Sequence, residues 1–282
     1  MNLLPFFFWT GLQVAFAFGL FRLIAPNVFA REASQPGAIL LWTFLLGLPL
    51  SLFEYLYHRY LLHSAVLPFL GSMHRAHHHH HRLTIVKAPV LEKEPAALVK
   101  VQSEYPVEHE HQAESMMFPL YSISIFFAIF LVLLALPLKL LFPGAPVIFA
   151  VLCTVTLAYA GYELWHLVMH LPEERVWGPL MRNRRVGKVV RHVYSFHLMH
   201  HWRPACNLAV VGFWGFAIWD HLFRTHRRPK TLPLDGVEVS YMDLGLRKPL
   251  WPIRLTDRWA ATFNRASRRL EAFCARVFLR RI

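Results

Sequence analysis

Four stretches of the chain are almost wholly apolar. Residues 3–21 (LLPFFFWTGLQVAFAFGLF), 38–57, 116–136 (MMFPLYSISIFFAIFLVLLAL) and 147–169 are each long enough to cross a bilayer as a helix. The first lacks the basic start of a signal peptide and reads as a retained helix. Polar breaks separate the runs. Residues 22–37, with Pro26, Pro36 and Gly37, form a short connector, and Pro137, Pro143, Gly144 and Pro146 mark a tight turn. Residues 82–115 mix charges with Pro89, Pro95 and Pro106 and read as an irregular surface segment, and residues 227–250 read as loop. Residues 205–219 (ACNLAVVGFWGFAIW) are apolar but too short to span, which predicts a packed or re-entrant piece.

Near the C-terminus the period changes. Leu255, Trp259, Phe263, Ala266, Leu270, Phe273 and Val277 recur every three or four positions, with Arg258, Arg265, Arg268, Arg269, Arg276 and Arg280 between them. That is a basic amphipathic helix, lying either on anionic lipid or on the protein's own cytosolic part. The pattern predicts an all-α membrane protein of about four transmembrane helices, a cytosolic histidine-rich metal-binding cap and a C-terminal amphipathic helix. The expected organisation is helices 1 and 2 in 1–57, a cytosolic histidine segment in 58–115 and helices 3 and 4 in 116–170. A cytosolic cap in 171–226 and a basic amphipathic region in 227–282 complete it.

Composition agrees: 55% of residues are hydrophobic, including 23 Phe and 9 Trp, a membrane balance. Three cysteines, Cys153, Cys206 and Cys274, show no disulfide framework. The formal net charge is +13, and all of the excess lies after the last apolar run. The connectors 22–37 and 137–146 hold only Arg22, Arg31 and Lys139, whereas the opposite side, 58–115 and 170–282, holds the other basic residues. The positive-inside rule therefore places 58–115 and 170–282 in the cytosol, at a bacterial inner membrane or the endoplasmic reticulum. The membrane accounts for the charge, so nucleic acid is not an expected partner. The basic link from Arg182 to Arg191 has Trp177 beside it, readable as an interface anchor.

The chain has 18 histidines, eight of them within 54–81. Four spaced groups stand out: His58-x4-His63, His74-x2-His77-His78, His166-x3-His170 and His197-x2-His200-His201. On a helix, positions i, i+3 and i+4 share a face, so each of the last three groups can aim at one point. His77-x2-His80-His81 fits the same spacing as His74-x2-His77-His78, which is the more compact choice against His63. His58 and His63 are about 140° apart on an ideal helix, so the helix ends or distorts between them or they serve different metals. A single ion holds about four to six ligands, so ten imidazoles call for two ions. His109 and His111, among glutamates, read as solvated, and His192 as a basic surface residue in preference to a spare ligand.

With these residues in view, FEYLYHRYLLH, HRAHH, YELWHLVMH and FHLMHH, followed by Asn207 and WDHLFRTHR, resemble the histidine boxes of the fatty acid hydroxylase/sterol desaturase superfamily. The resemblance covers roughly 54–226. It implies an integral-membrane oxygenase with two irons, using O2 and external electrons to hydroxylate or desaturate a lipid chain, with zinc able to substitute for iron. It implies His58, His63, His74, His77, His78, His166, His170, His197, His200 and His201 as ligands. The first box looks closer to the fatty acid 2-hydroxylases than to the sterol enzymes. Two features depart: Phe223-Arg224-Thr225 stands where the family commonly has FGT, and the His170–His197 link is long and basic. No cytochrome b5-like haem module accompanies the motifs, which implies a separate electron-transfer protein, cytochrome b5-like or a ferredoxin and its reductase.

Histidine-only ligation leaves two divalent ions without an anionic ligand, so acids near the boxes matter. Glu54 lies four before His58, Glu163 three before His166, and Asp220 beside His221. These three, with Asn207, are expected to support the site by orienting ligand N–H groups. Functions in view are an acyl-chain hydroxylase, a sterol or carotenoid desaturase or hydroxylase, and a zinc-binding membrane transporter or store. Ligands at span ends rather than at the bilayer midplane count against transport.

Overall fold

The computed structural model describes residues 3–68, 71–83, 86–87, 98–101, 117–228, 238–240, 242 and 245–278. Helices α1 (Leu4–Ile24), α2 (Pro26–Ala33) and α3 (Pro36–Tyr57) come first, and α3 runs on into a π turn over His58–Leu62. Next come α4 (Gly71–Leu83) and the short strands β1 (Val86–Lys87) and β2 (Leu98–Val101). The third apolar run is α5 (Ser122–Phe130), a π turn over Leu131–Ala135, and α6 (Leu136–Leu141). Then follow α7 (Val147–Met169), α8 (Gly178–Arg182), α9 (Gly187–Trp202), α10 (Ile218–Leu222), β3 (Glu238–Ser240) and α11 (Trp251–Phe278).

Four helical segments are long and apolar enough to cross a membrane: Leu4–Ile24, Pro36–Leu62, Ser122–Leu141 and Val147–Met169. Three lie close to the stretches read from the pattern. The third is shifted toward the C-terminus, because 117–121 form turns and Pro137 does not end the run. Proline cannot supply the amide that the preceding turn needs. The wide turn just before it absorbs that loss, so the helix continues to Leu141 instead of breaking.

The chain divides into two compact units, Met1–Leu52 with Met117–Trp165, and Phe53–Met116 with His166–Ile282. The first holds the greater part of the apolar helices. Phe8, Leu23, Leu40, Leu133 and Leu140 are exposed along them, as lipid-facing side chains are. Residues 22–37 are more ordered than a connector: Pro26 starts α2, a favoured place for proline. Its Glu32 is fully buried, paired with Lys139 and accepting from the Phe149 amide. Charge buried at that depth requires such a partner.

The second unit carries the histidines. Two stretches read as loop contribute strands instead: β1, β2 and β3 form a small antiparallel sheet, with Val86 opposite Val101 and Val99 opposite Val239. One core cluster joins Met169, Trp177, Met181, Tyr194 and Leu198; another joins Tyr55, Leu208 and Ile253. Trp177 is thus a core residue stacked on Tyr194, not an interface anchor. Helix α11 packs on this unit through Ile253, Ala260 and Ser267. Asp257 accepts two hydrogen bonds from Arg59 at 2.8 Å, and Ser267 donates to the Val66 carbonyl.

Candidate metal centre

The turn that carries His58 resolves the spacing problem of the first pair. Over His58–Leu62 the backbone forms i→i+5 bonds, closing with His63 N–H to the His58 carbonyl at 3.2 Å. In that wider turn residues five apart fall nearly above one another. The two rings stack, with centroids 5.1 Å apart and planes 19° from parallel. The distortion, one of the alternatives left by the spacing, is the one that occurs.

Ten imidazoles collect into two groups whose ligand atoms lie within 4.8 Å of one another: His58, His63, His77, His81 and His200, and His80, His166, His170, His197 and His201. Each group is built the same way. A pair comes from the end of a long apolar helix, His58 and His63 or His166 and His170. A second pair sits four apart on a short helix, His77 and His81 on α4 or His197 and His201 on α9. The fifth member comes from the opposite short helix, His200 or His80. Consecutive residues, His80 and His81 or His200 and His201, therefore serve different groups, which brings the groups side by side; the His81 and His201 rings stack at 4.2 Å.

His74 and His78, expected as ligands, lie outside both groups. His78 is exposed, and His74 hydrogen-bonds the Leu62 carbonyl through Nδ1 at 2.9 Å. On α4, His74 lies back against the π turn through the Leu62 carbonyl, and the inward face is reached one turn later. His77, His80 and His81 are that face, the second of the two registers. His192, His221 and His226 form a separate surface set, with His221 stacked on His226 at 4.0 Å. His109 and His111 fall outside the described residues.

The Nε2 atoms converge more closely than hydrogen bonding explains. His77 Nε2 is 3.1 Å from His58 Nε2, 3.2 Å from His63 Nε2 and 3.1 Å from His81 Nε2. A neutral imidazole has one N–H and cannot donate to three acceptors. His58 and His200 each place Nδ1 against a carbonyl, those of Leu208 and Cys206. A carbonyl only accepts, so Nδ1 carries the proton and Nε2 presents a lone pair inward. In the second group His197 Nε2 is 2.9 Å from His170 Nε2 and 3.1 Å from His201 Nε2. An ion about 2.1 Å from each nitrogen holds neighbouring nitrogens about 3 Å apart and opposite ones about 4.2 Å apart. The residues present fit a metal ion in each group.

Burial keeps the set neutral. Desolvation, followed by repulsion from neighbouring imidazoles, pushes His63, His77, His80, His81, His170, His197 and His201 well below the usual histidine range. Desolvation also brings His200 down to about 4. Neutral imidazole is the form that binds metal.

The expected supporting residues act on the main chain. Glu54 accepts from the amides of Val210, Val211 and Gly212 at 2.6, 3.0 and 2.9 Å. Asp220 accepts from the amides of Leu208 and Ala209 and from the Thr225 hydroxyl. Asn207 donates to the Phe196 and Arg227 carbonyls and accepts from the Arg227 amide. These bonds pin 206–212, whose carbonyls orient His58 and His200, so the acids act one step further from the rings than expected. Glu163 accepts from the Phe118 amide through Oε1, and its buried Oε2 has no hydrogen-bond partner among the described residues. The apolar segment 205–219 is indeed packed rather than spanning. Its tight turns place Asn207, Gly212, Trp214 and Gly215 at positive φ. At Gly212 a Cβ would stand 2.5 Å from the Phe216 carbonyl, so glycine is required there.

Sequence reasoning preferred the register without His80 and His81, although it had both in view, and missed the carbonyls of Leu208 and Cys206 as supports. The five-histidine run contained the signal for the first; a backbone acceptor leaves no signal for the second. Comparison with family models, with curated proteins and with solved structures finds no match for this chain.

Proposed function

We propose that this protein is an integral-membrane di-iron oxygenase that hydroxylates an aliphatic chain of a fatty acid or acyl lipid, taking O2 and electrons from a separate carrier protein. The observation that carries the reading is the convergence of ten neutral imidazoles into two adjoining groups of five. Four candidate spans, two of them ending in the His58 and His166 pairs, suit a lipid substrate. The histidine boxes add the resemblance to fatty acid hydroxylases, with the ligands now His58, His63, His77, His81 and His200 for one iron and His80, His166, His170, His197 and His201 for the other.

Bound iron supplies what imidazole cannot, the capacity to activate O2 and oxidise an unactivated C–H bond. The chain's own residues prepare for it. Five neutral donors per ion leave one position of an octahedron for a non-protein ligand. The Leu208 and Cys206 carbonyls fix which nitrogen of His58 and His200 faces inward, and burial keeps protons off the rings. On this reading the histidine groups face the cytosol, where a soluble or membrane-bound electron carrier can reach them.

The test is turnover of iron-loaded protein in lipid nanodiscs with a reduced electron carrier and isotopically labelled oxygen gas. One labelled oxygen atom appearing in a lipid hydroxyl, and absent with His200→Ala, supports the proposal. A product lacking two hydrogens and carrying no label makes the enzyme a desaturase. Tightly bound zinc, with no oxygen-dependent product after iron loading, makes it a metal store or transporter.

A further inference from the structure

Helix α11 has three distinct sides. At about 100° per residue, Ile253, Asp257, Ala260, Asn264, Ser267 and Glu271 share one of them. Past Ile253, which joins the Tyr55–Leu208 cluster, that side is small or polar, and it is the side docked on the protein, through Asp257 to Arg59 and Ser267 to the Val66 carbonyl. Trp259, Phe263, Leu270, Phe273 and Val277 form a second side, and all are exposed, Trp259, Phe263 and Phe273 by more than half. Arg258, Arg265, Arg269 and Arg276 form the third, also exposed, beside the aromatic stripe. A helix held to its own protein by its polar side while its aromatic side faces outward is inverted relative to ordinary packing. Such a row calls for an apolar medium, and the adjoining arginines call for anions.

The position of the helix says which medium. Arg59 and Tyr60, which hold Asp257, lie in the last turn of the candidate span Pro36–Leu62. The Tyr60 hydroxyl also meets the Thr256 hydroxyl. An element bonded to the end of a span lies at the level of the lipid headgroups. We propose that α11 is an interfacial helix that seats its aromatic stripe in an anionic bilayer surface, with its arginine row on the lipid phosphates. The Arg59–Asp257 pair then ties the seated helix to the π turn that bears His58 and His63. This inference stands on the spans and on α11 and does not depend on the oxygenase reading.

The experiment uses the full chain in nanodiscs of phosphatidylcholine alone or with added phosphatidylglycerol. An environment-sensitive fluorescent amino acid replaces Phe263, on the aromatic side, or Ala261, about 160° away. A blue-shifted emission quenched by chain-brominated lipid at 263 but not at 261, and strengthened by phosphatidylglycerol, is the expected result. Each arginine at an anionic surface biases the seated state about fivefold, so Arg258→Gln, Arg265→Gln and Arg269→Gln together should remove on the order of a hundredfold. These arginines are exposed, so the triple variant keeps its fold. Equal emission at 263 and 261 in both lipids overturns the inference. So does emission at 263 that is shielded in both lipids without bromolipid quenching in discs holding two chains, which would make a second copy the occupant.

Discussion

His78 and His80 are two residues apart on the same short helix, yet one faces solvent and the other is fully buried among four further imidazoles. The difference is about 200° of helical rotation, and it separates a surface histidine from a proposed ligand. His80→Ala should therefore abolish oxygen-dependent turnover and lower bound metal, while His78→Ala leaves both near wild type; metal analysis of the purified variants checks this. Loss of metal in His78→Ala with retention in His80→Ala would restore the register compact against His63. A second outcome concerns protons. His200 is held at about 4 in the folded chain against an ordinary 6.5. Between those values the unfolded chain binds protons that the folded chain refuses, so stability rises with pH across the window. It is fully present above pH 6.5 and is lost as pH falls toward 4. Metal retention should fall over the same window, because protons compete for the same lone pairs. A retention curve flat from pH 7 to about 4, measured by metal content after gel filtration, would contradict a buried all-histidine site.

At the scale of elements, four long helices and the amphipathic C-terminal helix were legible because their hydrophobic periods are long and uniform. The features that position the site were less so. A π turn has no residue signature; the spacing of His58 and His63 showed only that an ordinary helix could not serve both. The choice between His74 and His81 depended on which turn of α4 faces the other histidines, which a run of histidines hides. The short strands at 86–87, 98–101 and 238–240 pair over separations that local pattern does not report. Nor did the apolar run 205–219 reveal that its amides would need two acids, Glu54 from α3 and Asp220 from α10. That dependence makes a prediction. Glu54→Ala leaves the amides of Val210, Val211 and Gly212 without their acceptor, at about 1–3 kcal/mol for each one kept from water. Thermal unfolding of the variant in detergent should drop by several degrees, and metal affinity should weaken through Leu208 and His58. An unchanged midpoint and unchanged affinity would show that the segment does not need the acid.

For the molecule as a whole, the two compact units divide the chain by chemistry. One is built from apolar helices with the buried Glu32–Lys139 pair; the other collects the histidines, the basic link and α11. The charge asymmetry of the sequence follows the same division, since the second unit carries nearly all of the basic excess. The most direct test of the account is the metal content of the full-length protein, purified from iron-supplemented cells, together with X-ray absorption at the iron edge. The account predicts two iron ions per chain, each in a shell of about five imidazole nitrogens near 2.1 Å, falling to one or fewer in His80→Ala. Less than one ion per chain in the wild type, or a shell dominated by sulfur or carboxylate oxygen, would contradict it.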